Sequence, residues 1–208
     1  MKSGICFIIS APSGTGKSSL ISSFLSTKWG FNARSSISYT TRSMRPGEKE
    51  GQHYYFISKK KFETMINKNI FLEYAVVFNN YYGTSRILIE KMLSEGNDVI
   101  LDIDWQGARQ IRNYFSHSIS IFILPPSKLE LYNRLKKRGQ NTDLDIKHRI
   151  KKAVFEISHY KEYDYLIVND NFTKAVSDLK SIIISHRLSL YYQKYNIDEL
   201  IKSLCCIK

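Results

Sequence analysis

The stretch that decides the fold is Ser10-Ala11-Pro12-Ser13-Gly14-Thr15-Gly16-Lys17-Ser18-Ser19. It follows a short apolar run, residues 5–9, and opens a helical pattern over residues 18–25, which is the context that a phosphate-binding loop requires. The two glycines let the backbone turn so that its N–H groups point at phosphate oxygens, and the N-terminus of the following helix favours negative charge. The alternative is an ordinary glycine-rich turn between a strand and a helix.

This loop predicts a nucleoside triphosphate site. Lys17 would reach the β- and γ-phosphates, and the Ser18 hydroxyl would bind Mg²⁺. The general pattern G-x-x-x-x-G-K-[ST] has glycine where this chain has Ala11, and a small residue fits there provided that its φ is negative. The residues that we assign to the nucleotide are Ala11, Pro12, Ser13, Gly14, Thr15, Gly16, Lys17, Ser18 and Ser19.

Four short apolar runs predict the strands of a buried sheet. Their residues are apolar throughout instead of alternating, as in parallel strands that are covered on both faces. The runs are residues 5–9, 99–103, 119–124 and 165–168, and helical patterns lie at 18–25, 85–93, 128–137 and about 173–192. Strands that alternate with helices predict the α/β class, with a parallel sheet core of the phosphate-loop NTPase type.

Two stretches interrupt this alternation. Residues 32–80 are rich in Tyr, Thr, Ser and Phe and carry turn signals at Arg45-Pro46-Gly47 and Glu50-Gly51, which predict a small, mostly β insertion. Residues 124–160 are helical in pattern and densely charged. Because no Pro- or Gly-rich linker separates either stretch from the rest, we expect lobes on one core instead of independent domains.

The composition excludes several classes of protein. With 43% hydrophobic residues the chain is not disordered as a whole, and no apolar run reaches the roughly 18 residues that cross a bilayer. The 31 Lys and Arg against 19 Asp and Glu give a formal charge of +12, which fits a nucleic acid, an anionic membrane or a nucleotide as partner, or simply a soluble surface. The three cysteines, Cys6, Cys205 and Cys206, make no disulfide framework and favour a reducing, cytoplasmic compartment, with Cys6 in the core.

The insertion carries groups that suit a phosphate. Arg42 and Arg45 are close enough in sequence to converge on one anion, and Tyr54 and Tyr82 are expected to donate phenolic hydrogen bonds to it. Taken singly, the arginines also fit solvated loop charges, and Tyr54 by itself is more often a core or rim aromatic. Their occurrence together favours the phosphate site.

The same insertion carries groups that suit a purine base. An ionised Glu73 only accepts hydrogen bonds, so it matches the ring N–H and the exocyclic amine that guanine presents side by side. The hydroxyls of Ser38 and Thr84 would complete that edge.

With the phosphate loop, these motifs resemble the guanylate kinase family, and the resemblance covers nearly the whole chain through residues 38–48, 80–84, 101–107, 121–127 and 163–170. It implies phosphorylation of GMP and dGMP by ATP with Mg²⁺, in purine nucleotide metabolism. It implies one domain over residues 1–208, with a core (1–31, 85–124 and 161–208), a GMP-binding lobe (32–84) and a helical lid (125–160). The residues that it places at GMP are Ser38, Arg42, Arg45, Tyr54, Glu73, Tyr82, Gly83, Thr84 and Asp104.

Two acids follow the predicted second strand. Asp102 and Asp104 are two residues apart, so their side chains project to the same face, at the carboxyl edge where open parallel sheets bind ligands. Asp102 resembles the strand-end acid that holds Mg²⁺ directly or through water, and the resemblance puts Asp104 near guanine. The alternative for Asp104 is a cap on the helix that begins near Trp105.

The charged stretch after residue 124 supplies candidate lid arginines. Arg134 and Arg138 lie one helical turn apart and share a face, and Arg149 follows on the next helical pattern. In the family that the chain resembles, arginines at these positions close over ATP. An arginine that is correctly placed beside the transferring phosphoryl group accelerates transfer on the order of a thousandfold or more. With Lys17 and Arg42 they form the predicted catalytic set.

Other predictions concern what lies outside this set. The acceptor oxygen of a phosphate is already anionic, so no histidine is needed as a base, and the five histidines are interpreted as structural or surface residues. The pattern Ile197, Leu200, Ile201 and Leu204 predicts a helical C-terminal tail that packs on the core or on another subunit. We expect no nucleic acid and no membrane as partner. The alternatives are a kinase of another acceptor, such as another nucleoside monophosphate or a sugar phosphate, and a binding module without activity.

Overall fold

A computed structural model describes residues 3–77, 79–137 and 143–205, without the side chains of residues 143, 144, 195 and 196. In these ranges the strands are β1 (Cys6–Ser10), β2 (Ala33–Ser35), β3 (Ser38–Thr40), β4 (Tyr54–Phe56), β5 (Phe71–Val77), β6 (Asn80–Ser85), β7 (Asp98–Asp102), β8 (Ile119–Leu124) and β9 (Tyr165–Val168). The helices are α1 (Lys17–Leu25), α2 (Lys59–Asn67), α3 (Arg86–Ser94), α4 (Trp105–Tyr114), α5 (Lys128–Lys137), α6 (Asp143–Ile157), α7 (Phe172–Leu188) and α8 (Leu190–Cys205), with 3₁₀ turns at Lys28–Gly30 and Tyr160–Glu162.

The core is a five-stranded sheet in the order β2-β7-β1-β8-β9, and every neighbouring pair is parallel. The α/β class and the four predicted strands are therefore confirmed, each to within one residue at its ends. The fifth strand, β2, was not predicted, because it has three residues and includes the exposed Arg34. Since β2 joins the core sheet, the core extends past the boundary that we expected at residue 32.

The central strand explains why the strands are apolar throughout. Along β1, Phe7 and Ile9 face α1 and α7 in one buried cluster, whereas Cys6 and Ile8 face α3 and α4 in another. Successive side chains of a strand point to opposite faces, so a sheet covered on both faces needs apolar residues at every position. Cys6 is a core residue as predicted, and burial raises the pKa of its thiol to about 12.

The predicted β insertion forms a second sheet of four strands in the order β4-β3-β6-β5. Helix α2 packs against it through Phe62 and Met65, which meet Phe71 in a small buried cluster. We did not predict α2. Ser58 marks its start, since the Ser58 side chain accepts a hydrogen bond from the backbone N–H of Lys61 at 3.3 Å.

Helices α5 and α6 occupy the stretch expected to form a lid and share their own apolar cluster, which includes Leu131, Leu135, Ile146 and Ala153. A helical lid was expected here. The cluster gives this stretch an interior that is separate from the clusters on the two faces of the core sheet.

The C-terminal helix pattern differs from the expectation of one helix over about 173–192. The chain leaves helical geometry at Ser189 (φ −64°, ψ 145°), whose backbone carbonyl then accepts hydrogen bonds from the N–H groups of Tyr192 and Gln193 at the start of α8. The periodic tail is helical as predicted, but Leu200 and Leu204 are exposed. In the part of the chain that the structure describes, none of the helices has the length and apolar character needed to cross a membrane.

Candidate active site

The candidate site lies where the carboxyl ends of the parallel strands meet. β1 leads into the phosphate loop, β7 ends at Asp102, and β9 is followed by Asn169. Because all strands of the core sheet run in the same direction, these ends share one edge, which is the edge that binds ligands in open α/β sheets.

The two glycines of the loop adopt backbone angles that other residues rarely adopt. Gly14 has φ +94° and Gly16 has φ +95°, whereas Ala11 has no positive φ, so alanine is compatible with that position. Space is restricted as well. A Cβ atom on Gly16 would lie 2.6 Å from Nδ2 of Asn169, and one on Gly14 would lie 2.9 Å from Cδ2 of Leu135.

Hydrogen bonds hold the loop in this conformation. The buried Thr15 hydroxyl donates to the carbonyl of Pro12 at 2.8 Å, and the Nδ2 of Asn169 donates to the carbonyl of Thr15 at 2.7 Å. Sequence reasoning missed Asn169, although its place directly after the fourth predicted strand was a usable signal.

Lys17, Ser18 and Asp102 converge at the start of α1. The Lys17 ammonium forms an ion pair with Oδ1 of Asp102 and donates to the carbonyl of Ile103 at 3.2 Å. The Ser18 hydroxyl donates to Oδ2 of Asp102 at 2.9 Å. A hydroxyl and a carboxylate side by side are hard oxygen donors, which suits Mg²⁺ when substrate phosphates and water supply the other ligands. Among the described residues no group of three or more His, Cys, Asp or Glu could hold a metal by itself.

Two of the predicted lid arginines reach the phosphate loop. Arg134 donates to the carbonyl of Thr15 at 3.3 Å and to that of Asn169 at 3.0 Å, while its Nε donates to Glu130 at 2.7 Å. Arg149 donates to the hydroxyl of Ser13 at 3.1 Å. Arg138 lies outside the described residues.

The predicted guanine edge is assembled by strand pairing. Glu73 on β5 pairs with Thr84 on β6, and the Thr84 hydroxyl donates to Oε1 of Glu73 at 2.6 Å. The Ser38 hydroxyl on β3 lies 3.2 Å from that of Thr84. All three residues are buried. Burial raises the pKa of Glu73 to about 7, and the nearby Asp104 carboxylate adds to the rise, against the opposing hydrogen bonds from Thr84.

Asp104 has two neighbours of different kinds. Its carboxylate caps α4 by accepting hydrogen bonds from the N–H groups of Gln106 at 3.0 Å and Gly107 at 3.1 Å. It also lies close enough to Glu73 to raise the pKa of that group. The absence of a side chain at Gly107 lets Glu73 lie against the start of α4, since a Cβ there would collide with Oε2 of Glu73. The capping alternative and a place at the base edge are therefore compatible.

Two of the predicted phosphate residues, Tyr54 and Tyr82, lie beside the guanidinium of a third, Arg42. Arg42 lies 5.5 Å from the ring centre of Tyr54, whose ring lies 5.8 Å from that of Tyr82. Burial raises the pKa of Tyr54, and the negative charge of Asp102 raises it further. The side chain of Arg45 is exposed, so it would join Arg42, Tyr54 and Tyr82 only by contacting a bound phosphate.

Gly83 occupies a different environment from the polar residues. It is buried in β6, where a Cβ would lie 2.9 Å from atoms of Phe62 and Phe71. Its lack of a side chain therefore allows the aromatic rings of the lobe to pack against β6. Ser19, at the other end of the predicted set, is exposed on α1.

Sequence reasoning also missed two acids, Glu48 and Glu156. Glu48 forms a bidentate ion pair with Arg42, through bonds of 2.7 and 2.9 Å. Glu156 on α6 is buried, which raises the pKa of its carboxyl to about 7 although Lys152 and Lys17 oppose the rise. Nothing in the sequence distinguished Glu156 from the surrounding charged residues of the predicted lid.

Comparisons with known proteins agree with this geometry. The model of the guanylate kinase family matches residues 4–186. The chain is 63% identical to the guanylate kinase of Buchnera aphidicola subsp. Schizaphis graminum and 54% identical to that of Escherichia coli K12, each over 98% of this chain and 99% of the relative. The crystal structure of guanylate kinase from Anaplasma phagocytophilum superposes with a TM-score of 0.80 at 33% identity, covering 100% of this chain and 98% of that one. The chain belongs to the guanylate kinase family.

Proposed function

We propose that this chain transfers the γ-phosphoryl group of ATP to GMP or dGMP, forming ADP and the nucleoside diphosphate. Membership of the guanylate kinase family supports the reaction with GMP. The observation that carries the proposal is the buried edge formed by Glu73, Thr84 and Ser38, which matches guanine and lies in the same lobe as Arg42.

The acceptor is bound through its base and its phosphate. The ionised carboxylate of Glu73 accepts from the ring N–H and the exocyclic amine of guanine. The hydroxyls of Ser38 and Thr84 can rotate to donate to, or accept from, the remaining polar atoms of the base. A base without these donors would leave Glu73 buried and unpaired, which is how a polar site rejects analogues. The phosphate is held by the remaining members of the lobe set: Arg42, Arg45, Tyr54 and Tyr82.

The donor is bound by the loop and the strand-end acid. Backbone N–H groups of residues 11–19, apart from Pro12, which has none, hold the phosphates at the start of α1, with Lys17 on the β- and γ-phosphates. Mg²⁺ bound with ATP supplies charge neutralisation on the phosphate oxygens, and Ser18 and Asp102 would hold it directly or through water. The ammonium of Lys17 pairs with Asp102 at the start of α1, beside the position that the phosphates would occupy.

In the transfer step an oxygen of the GMP phosphate bonds to the γ-phosphorus, and the bond from that phosphorus to the bridging oxygen of ADP breaks. The acceptor oxygen is anionic near neutral pH, so no base has to remove a proton. Charge spreads over the γ-phosphoryl oxygens, where Lys17, Arg134, Arg138 and Arg149 stabilise it. Closure of the lid over ATP excludes water and so suppresses hydrolysis.

The test is steady-state phosphoryl transfer from ATP with GMP, dGMP, AMP, UMP, dTMP and a sugar phosphate as acceptors. We expect transfer to GMP and dGMP and little to the others. Comparable turnover of AMP would overturn the guanine assignment, and turnover of a sugar phosphate would favour another acceptor class. The single domain, the lid and the cytoplasmic compartment remain predictions.

A further inference from the structure

Glu48 is an acid of the acceptor lobe with no part in the proposed transfer. Its Oε1 accepts from Nη2 of Arg42 at 2.7 Å and its Oε2 accepts from Nη1 at 2.9 Å, so the two planar groups meet through two parallel bonds. Both side chains are largely covered, with 12% of Arg42 and 16% of Glu48 exposed. Such a pair fixes orientation as well as charge, unlike most exposed ion pairs.

The chain around Glu48 directs its carboxylate at Arg42. Pro46 and Gly47 are the central residues of a turn in which the N–H of Glu48 donates to the carbonyl of Arg45 at 3.1 Å, and Gly47 has the positive φ of +84° that the turn needs. The N–H of Arg45 also donates to Oε2 of Glu48 at 2.8 Å. Glu48 therefore contacts both arginine positions of the predicted phosphate set.

Among the described residues, the bonds of Arg42 to Ser43 and Glu48 leave the opposite edge of its guanidinium, beside the Tyr82 hydroxyl, for a ligand. The group has five N–H donors, of which Ser43 and Glu48 take both hydrogens of Nη1 and one of Nη2. None of these bonds uses Nε, so Nε and the second Nη2 hydrogen form a pair of parallel donors of the kind that binds phosphate bidentately. The Tyr82 hydroxyl, which belongs to the predicted phosphate set, hydrogen-bonds to the same guanidinium, so a phosphate on this edge would share or take over the donor that Tyr82 uses. Tyr54 and Phe56 flank the guanidinium at 5.5 and 5.6 Å.

We propose that Glu48 is a positioning residue for the acceptor phosphate: it holds the Nη1–Nη2 end of Arg42 so that the Nε–Nη2 edge faces the phosphate of GMP. The inference rests on the proposed function, because it requires that Arg42 bind that phosphate. An arginine side chain has several rotatable bonds, and orienting it before the ligand arrives lowers the entropy lost on binding.

The geometry distinguishes a positioning role of Glu48 from competition between Glu48 and the GMP phosphate for Arg42. If Glu48 occupied the donors that the phosphate needs, GMP would have to displace it, and removing the carboxylate would strengthen binding. Because Glu48 and the phosphate use different edges, removing the carboxylate should instead weaken binding. The repulsion between the two anions across the guanidinium opposes this effect but does not require either to leave.

The test compares Glu48→Gln with Glu50→Gln in the full chain. Glu50 is a matched control, since it is an acid of the same segment whose Oε2 accepts from the N–H of Phe56 at 3.0 Å, and an amide oxygen keeps that bond. The measurements are KM for GMP, KM for ATP, and the inhibition constant of guanosine, which has the base but lacks the phosphate. Glu48→Asp keeps the charge on a shorter side chain and serves as the second variant if the amide impairs folding.

We expect Glu48→Gln to raise KM for GMP on the order of 10-fold and to leave KM for ATP and the guanosine constant unchanged. Glu48→Asp should lie between the wild type and the amide, and Glu50→Gln should match the wild type. An unchanged KM for GMP overturns the proposal, a lowered one shows competition, and an equal loss of guanosine binding shows a structural effect on the whole lobe. If the wild type did not phosphorylate GMP, the proposed function itself would fail, which is a separate result.

Discussion

The buried carboxyl of Glu73 makes the stability of this protein depend on pH in a way that one substitution should remove. Burial and the Asp104 carboxylate raise the pKa of Glu73 from 4.5 to about 7 in the folded chain. In the unfolded chain the same carboxyl titrates near its ordinary value. Glu73→Gln keeps the shape of the side chain and abolishes the titration.

The sign follows from proton binding. Between pH 4.5 and 7 the folded state holds a proton on Glu73 that the unfolded state has released, so the free energy of unfolding falls as pH rises. The contribution is complete below pH 4.5 and is lost once pH passes about 7. A rise from 4.5 to about 7 corresponds to a loss of about 3 kcal/mol, at 1.36 kcal/mol per pKa unit.

The assay is urea unfolding at several values between pH 5 and pH 8 without nucleotide. The free energy of unfolding of Glu73→Gln minus that of the wild type should increase by about 2 to 3 kcal/mol over this range. Glu63→Gln is a suitable control, because Glu63 is an exposed acid on α2 of the same lobe whose ion pair with Lys59 spans 3.8 Å. Parallel pH profiles for the wild type and Glu73→Gln would refute the reasoning.

The same carboxyl should control the use of GMP. The ionised form binds guanine, so KM for GMP in the wild type should fall as pH rises through about 7. At pH 8, where Glu73 of the wild type is ionised, Glu73→Gln should lower kcat/KM for GMP on the order of 100-fold or more, since the amide cannot accept from both guanine donors, and this difference should shrink as pH falls below about 7. A variant that still distinguished GMP from AMP as the wild type does would contradict the guanine assignment.

Two further substitutions test the phosphate loop. Asn169→Ala removes the 2.7 Å bond to the carbonyl of Thr15 and leaves a buried acceptor with less support, so urea unfolding should show a loss of about 1 to 3 kcal/mol together with a higher KM for ATP. Unchanged stability would mean that the bond does not hold the loop. Gly16→Ala places a Cβ 2.6 Å from Asn169 at φ +95°, so transfer should be largely lost. Ser19→Ala on the exposed face of α1 should be nearly neutral, since it keeps the backbone N–H that we assign to the phosphates. Near-normal transfer by Gly16→Ala would contradict the positive φ as a requirement of the site.

Local patterns carried much of the prediction. The apolar runs of β1, β7, β8 and β9 and the glycines beside Lys17 could be found without the structure, because burial on both faces and a tight strand-to-helix turn each restrict residue type directly. Features that do not restrict residue type in this way were not predicted. β2 exists only because β7 offers it a parallel partner, and α7 ends at Leu188 although the apolar pattern continues beyond it.

The residues of the candidate site also divide into those whose type and neighbours predicted a role and those whose contacts only the fold creates. Lys17, Arg42 and Glu73 were assigned from their residue types and neighbours, but the sequence could not pair Arg42 with Glu48 or connect Asn169 to a carbonyl 154 residues away. It also left open whether Asp104 caps α4 or faces the base edge, and its position allows both.

By itself, the sequence determined the α/β class, the phosphate loop and the chemistry of the groups that would meet a nucleotide, because each depends on neighbouring residues. Only the tertiary structure decided which edge of Arg42 is held by Glu48, why the pKa of Glu73 is raised, and which strand completes the sheet. These properties depend on distances between segments far apart in the chain, and a hydrogen bond or a desolvated charge is defined by those distances.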